Sequence, residues 1–167
     1  LGDMSTGPTL RGDTVYAGSE AGTVYALDTL ANGATLWSYP TGDGAVKALI
    51  FPDRTGDDLY FSTDDTVWSL TDNGLSWTLN WSDATITLPT APLYLTGEAY
   101  LYVGSTDGSL YELDVTTGTP VLPPSHRAVV LGDGAAAVGH PMRDSANGLV
   151  HVGTEAGVVY AVTIPRP

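Results

Sequence analysis

Val15-Tyr16-Ala17-Gly18-Ser19, a short turn, then Thr23-Val24-Tyr25-Ala26-Leu27-Asp28: the chain writes this phrase four times. It returns as Leu101-Tyr102-Val103-Gly104-Ser105 with Ser109-Leu110-Tyr111-Glu112-Leu113-Asp114. It returns again as Val150-His151-Val152-Gly153-Thr154 with Val158-Val159-Tyr160-Ala161-Val162. A worn copy lies between, Leu59-Tyr60-Phe61-Ser62-Thr63 with Thr66-Val67-Trp68-Ser69-Leu70. Each half is rich in Val, Tyr, Leu and Thr, the chemistry of strands. The turns Glu20-Ala21-Gly22, Thr106-Asp107-Gly108 and Glu155-Ala156-Gly157 end in glycine, which supplies the left-handed backbone a tight hairpin needs. Asp64-Asp65 lacks that glycine and makes a shorter hairpin. No useful stretch has helical periodicity.

Two further strands flank each phrase. Before it come Thr6-Gly7-Pro8-Thr9-Leu10, residues 45–51, Thr90-Ala91-Pro92-Leu93-Tyr94 and Gly139-His140-Pro141-Met142. After it come Thr35-Leu36-Trp37-Ser38-Tyr39, Leu75-Ser76-Trp77-Thr78-Leu79 and Pro120-Val121-Leu122. The anchors Tyr16, Tyr60, Tyr102 and His151 stand 44, 42 and 49 residues apart. Four antiparallel strands at this period predict an all-β fold, a β-propeller of four consecutive blades over residues 1–42, 43–82, 83–132 and 133–167. The last blade lacks an outer strand.

The pattern small-Pro, Val-Tyr-x-Gly-Ser, x-x-Gly, x-Val-Tyr-Ala-Leu-Asp, Gly, Leu-Trp resembles the repeats of pyrroloquinoline-quinone-type propellers. The resemblance covers nearly the whole chain. It implies a tryptophan-docking motif that locks neighbouring blades, carried here by Ala26, Asp28, Gly33 and Trp37. Asp114 and Gly118 match it with Leu122 in place of the Trp, and Gly74 and Trp77 keep a shortened form. Rings of this family carry seven or eight blades. The phase of the repeat makes the 167 residues read as the C-terminal half of such a ring, with a compact four-bladed or two-chain ring as the alternative. The family includes quinoprotein dehydrogenases and cofactor-free scaffolds of the outer-membrane barrel-assembly type.

Composition narrows the functional classes. There is no cysteine, so disulfides, thiolate metal sites and cysteine nucleophiles are excluded, as is the adjacent-cysteine pair of quinoproteins. Nineteen acids face six bases, a formal charge of −13, with Lys47 the single lysine. That balance argues against nucleic acid and anionic lipid as partners, and no apolar run is long enough for a membrane helix.

Placing the blades sorts the charges. The hairpin turns of the phrase share a face with the blade-to-blade loops, and that face collects Asp3, Glu20, Asp43, Asp64, Asp65, Asp83, Asp107, Asp133 and Glu155 with no Lys or Arg assigned to it. The opposite face mixes acids with Arg11, Arg54 and Arg143. An all-acidic face is a candidate surface for a basic partner or for calcium. Asp53, Asp57, Asp58, Asp64 and Asp65 are the densest carboxylates, although their spacing departs from the calcium-loop pattern.

Other chemistry is thin. Lys47, His140 and Arg143 fall on or beside inner strands and are candidate channel-lining residues for an anion. His151 replaces a phrase tyrosine and is expected to pack in the core; His126 sits in an irregular stretch, residues 121–139, where specific contacts would concentrate. There is no Gly-x-Ser-x-Gly, no zinc-type histidine spacing and no phosphate loop. No catalytic, cofactor or metal residue is assigned. The expectation is a non-catalytic binding or scaffold propeller outside the cytoplasm, with protein partners and no bound cofactor. The alternative is part of a quinone-dependent enzyme.

Overall fold

The computed structural model describes residues 2–4, 6–119 and 128–164. They form fifteen strands and no helix, in four antiparallel sheets that follow one another along the chain. The first sheet is β1 (Thr9–Arg11), β2 (Thr14–Gly18), β3 (Thr23–Asp28) and β4 (Ala34–Pro40), in that spatial order. The second is β5 (Lys47–Pro52), β6 (Asp58–Ser62), β7 (Val67–Asp72) and β8 (Trp77–Asp83). The third is β9 (Leu93–Tyr94), β10 (Tyr100–Gly104), β11 (Ser109–Asp114) and β12 (Ala128–Val130). The fourth has three strands, β13 (Met142–Asp144), β14 (Leu149–Gly153) and β15 (Val159–Thr163), and no strand among the described residues pairs the outer edge of β15.

The repeated phrase is the central hairpin of every sheet. Its register is constant: Tyr16 faces Ala26, Tyr60 faces Ser69, Tyr102 faces Glu112 and His151 faces Ala161. The turn glycines Gly22 and Gly108 take φ of +73° and +83°. Each also lets the next inter-sheet loop approach: a Cβ would lie 2.2 Å from the Gly44 carbonyl oxygen and 2.3 Å from that of Gly134. Sequence position thus fixes both the hairpin and the spacing between sheets.

Three apolar clusters, each spanning two successive sheets, make the core. Tyr16, Val24 and Trp37 meet Ile50, Phe61 and Leu70; Tyr60, Val67 and Trp81 meet Tyr94, Leu101 and Leu113; Tyr102 and Leu110 meet Val138, Val150 and Val152. No cluster among the described residues joins the fourth sheet to the first. Sheets two and three are covered on both faces, so strands such as β7 are buried at nearly every position rather than at alternate ones.

The outer strand expected at Pro120-Val121-Leu122 lies outside the described residues, as does His126. The strand that occupies the outer position is Ala128–Val130, pairing Ser109 with Val130, so the stretch read as irregular supplies a blade strand through its β-branched pair. His151 is not packed away: its side chain is 40 % exposed and 3.8 Å from Asp144, because no further sheet among the described residues covers that position.

Candidate interaction face and blade joints

The hairpin turns and inter-sheet loops are joined by backbone bonds, and between the second and third sheets by the Ser62 hydroxyl, which donates to the Thr90 carbonyl at 2.8 Å. Glu20 N–H donates to the Asp3 carbonyl, Val46 N–H to Ser19, Thr106 N–H to Thr87, Leu131 N–H to Gly108, Val138 N–H to Ser105 and Glu155 N–H to Ala137. The acids assigned to this face therefore sit on a fixed frame.

They are not equivalent. Asp3, Glu20, Asp65, Asp107, Asp133 and Glu155 are exposed. Asp43 is half-buried and accepts a bond from the Thr63 hydroxyl at 2.6 Å. Burial alone would raise its pKa, but hydrogen bonds from Thr63, Thr66 and the Asp65 backbone outweigh that and hold the carboxyl below its usual range. Asp83 is buried, takes the Thr85 N–H at 2.8 Å and is withdrawn from the surface. The expectation of a face without cations fails at one point: Lys47 reaches Asp64, 3.6 Å from its carboxylate, and donates to its carbonyl at 3.1 Å. A long flexible stem on β5 carries the ammonium past its own strand.

The candidate channel residues do not converge. Lys47 is bound at the acidic face. Arg143 pairs with Glu98 at 2.8 Å toward the opposite end of the strands. His140 lies outside the strands, with Nδ1 2.9 Å from the Ala91 carbonyl and its ring stacked on Phe51. Lys47 and Arg143 are each held by a local acid and His140 by a backbone carbonyl, so no shared anion site forms from these three. The dense aspartates are likewise divided: Asp53, Asp57 and Asp58 lie at one end of β6, and Asp64 and Asp65 at the other. Asp57 faces Arg11 at 3.7 Å, and Asp58 accepts bonds from Thr71 and Asn80. Among the described residues no three His, Asp or Glu side chains group as a metal site.

The blade joints are where the structure concentrates buried polarity. Trp37 donates its indole N–H to Asp72 of the second sheet at 2.8 Å. The same carboxylate accepts from the Tyr16 hydroxyl, from the Arg11 guanidinium at 3.1 Å and from the Gly74 N–H at 2.9 Å. Asp72 is 6 % exposed. At the next joint Trp81 donates to the Val115 carbonyl at 2.8 Å and covers Gly118, where a Cβ would lie 2.2 Å from the ring. An indole buries roughly 200 Å², worth about 5 kcal/mol at ~25 cal/mol per Å². Its hydrogen bond adds about 1 kcal/mol. Burial therefore holds the sheets together, and the hydrogen bond fixes where the ring points.

The docking assignments shift accordingly. Ala26 is buried opposite Trp37, and Gly118 lies under a docking indole. Trp81, opposite Ser69 as Trp37 is opposite Ala26, is the docking residue of the second sheet rather than Trp77. Trp77 bonds backward, to the Ser38 carbonyl at 2.9 Å, and packs edge-on against Tyr39. Asp28 and Asp114 cap their own turns, accepting from Leu30 and Thr116 N–H groups, and Gly33 and Gly74 supply positive φ beside such turns. Asp72, Arg11, Tyr16 and Trp81 were absent from the sequence assignment. The signal for Trp81 was present, since it precedes Ser82-Asp83 at the blade junction.

The sequence profile described as Outer membrane protein assembly factor BamB matches residues 2–165. The chain belongs to that family. Among solved structures it is similar to BamB from Moraxella catarrhalis, with a TM-score of 0.73 and 22 % identity over 96 % of this chain and 47 % of that one. The chain thus spans about half the length of that relative. It is similar also to the computationally designed Ika4 protein, with a TM-score of 0.73 and 19 % identity over 98 % of this chain and 92 % of that one. A third is the β-propeller domain of Cps50 (Swd1) from Myceliophteria thermophila, with a TM-score of 0.67 and 12 % identity over 90 % of this chain and 51 % of that one. These likenesses fix the fold as a propeller. A comparison with curated protein sequences gives no match.

Proposed function

We propose that this propeller is a non-catalytic scaffold acting outside the cytoplasm in outer-membrane protein assembly, and that its acidic face receives a basic protein partner. One observation carries the reading: six exposed carboxylates stand on a single hydrogen-bonded frame of turns, with Lys47 as the one cation reaching it among the described residues. Like charges held on a rigid surface steer an oppositely charged partner and weaken with salt. Membership of the assembly-factor family supports the setting. The quinone-dependent alternative has no specific observation in its favour.

A photo-crosslinking residue placed at Glu20, Asp107 or Glu155 in cells tests the proposal, with Asp28 and Asp144 on the opposite face as controls. Adducts with a component of the outer-membrane assembly machinery from the first set alone are expected. Equal adducts from both sets, or none from the first, would remove the acidic face from the function.

A further inference from the structure

A cavity lies at the other end of the strands, away from the acidic face. Its volume is about 780 Å³, within the range of small-ligand sites. Three inner strands converge on it: Thr9, Leu10 and Arg11 from β1, Phe51 and Pro52 from β5, and Leu93 and Tyr94 from β9, with Arg54 and Thr96 from the following turns. The wall is largely apolar, and Leu10 is 64 % exposed at it.

Its polar groups are unevenly satisfied. Arg11, Lys47 and Arg143 each have a carboxylate within ion-pair distance. Arg54, which lines the cavity, is the described Lys or Arg that has none. The adjacent Asp53 does not serve it: one carboxylate oxygen accepts from Thr55 and the other from the Tyr94 hydroxyl. A guanidinium without a carboxylate partner at the rim of an apolar hollow is complementary to a carboxylate on a hydrocarbon chain.

We infer that this cavity binds an aliphatic carboxylate, with its head group on Arg54 and its chain against Leu10, Phe51 and Leu93. The site joins three sheets, so occupancy would stiffen the arc they form. It is independent of the acidic face and stands or falls separately from the scaffold proposal.

Titration of the full chain with octanoate, followed by amide NMR, tests this. Saturable shifts are expected at residues 9–12 and 93–96. Arg54→Gln should weaken binding about tenfold, the usual scale for one charge-assisted contact, and Arg54→Lys should retain part of it. Octanol, with the same chain and no charge, should bind at least as weakly as octanoate binds the Gln variant. Arg54 is exposed, so its replacement leaves the spectrum dispersed and the variant readable. Absence of saturable shifts, shifts scattered over the surface, unchanged octanoate affinity in Arg54→Gln, or equal affinity for octanol would each overturn the assignment.

Discussion

At the scale of single residues, Asp72 carries more than any other side chain. Four donors from β1, β2, β4 and the turn after β7 meet on one buried carboxylate. Removing one member of a buried, hydrogen-bonded ion pair typically costs about 3–5 kcal/mol, because the surviving charge is left unmatched. Asp72→Ala should lower unfolding stability by that order in urea titration. Asp28→Ala, which removes only an exposed turn cap, should cost about 1 kcal/mol. Comparable losses in the two variants would mean that Asp72 adds nothing beyond its turn. The sequence placed the docking carboxylate at Asp28 and Asp114 because the phrase aligns them. The acceptor actually used lies one position further along, where the second sheet has Asp72 and the third offers the backbone of Val115. That choice depends on where the indole of the preceding sheet arrives, which no single repeat encodes.

The buried tyrosines make a second prediction at this scale. Burial raises the pKa of Tyr16, Tyr60 and Tyr102 well above the usual value, with Asp72 adding to the effect at Tyr16 and other acids at the remaining two. A phenol with a raised native pKa contributes stability that is full below its unfolded value near 10. The contribution is lost as pH climbs through the native value. Stability should therefore fall steadily once pH passes about 10. Tyr60→Phe keeps the ring and removes the proton, so the urea midpoint of this variant should fall less steeply between about pH 10 and 12. An unchanged slope would exclude Tyr60 as a source of the alkaline loss.

At the scale of elements, the hairpins and their order were legible because strand-forming composition, turn glycines and a fixed period all pointed the same way. The outer strands were less so. They carry weak patterns, half exposed, and their register is set by what the next sheet presents. Trp77 and Trp81 show the ambiguity: both lie on β8, and only packing distinguishes the one that docks forward. The glycine beneath Trp81 offers a test. Gly33 and Gly118 have similar φ, +76° and +69°, but a Cβ at Gly33 meets nothing within 4 Å. Both alanine variants pay for left-handed backbone, about 1–2 kcal/mol. Gly118→Ala must in addition displace the indole, a further 1–3 kcal/mol or so by analogy with overpacked cores. Thermal denaturation of the pair would separate the two costs; equal midpoints would show that Trp81 moves aside freely.

At the scale of the whole molecule, charge dominates. Nineteen acids on a chain of 167 residues repel one another across the surface, and six of them are exposed together on one face. Screening shortens that repulsion to roughly 8 Å at physiological ionic strength. The thermal midpoint should therefore rise between about 10 and 150 mM sodium chloride, and Glu155→Lys should reduce the rise. A salt-independent midpoint would mean that the acids are too far apart to interact. The candidate face was legible in outline, since turn positions follow directly from the repeat. The Lys47 contact and the burial of Asp83 were not, because both depend on side-chain reach between neighbouring loops.

The joint at Asp72 differs in kind from the other two. The first and second sheets are latched by a carboxylate that grips strands at both the inner and outer edges of its neighbour. The second and third meet chiefly through indole packing and single bonds, and the third and fourth through the Arg143–Glu98 pair and apolar contact. Apolar burial joins all three pairs, so what differs between the joints is direction rather than grip: bonds arriving from both edges fix the angle of the second sheet against the first, while the later joints leave the angle between sheets less determined.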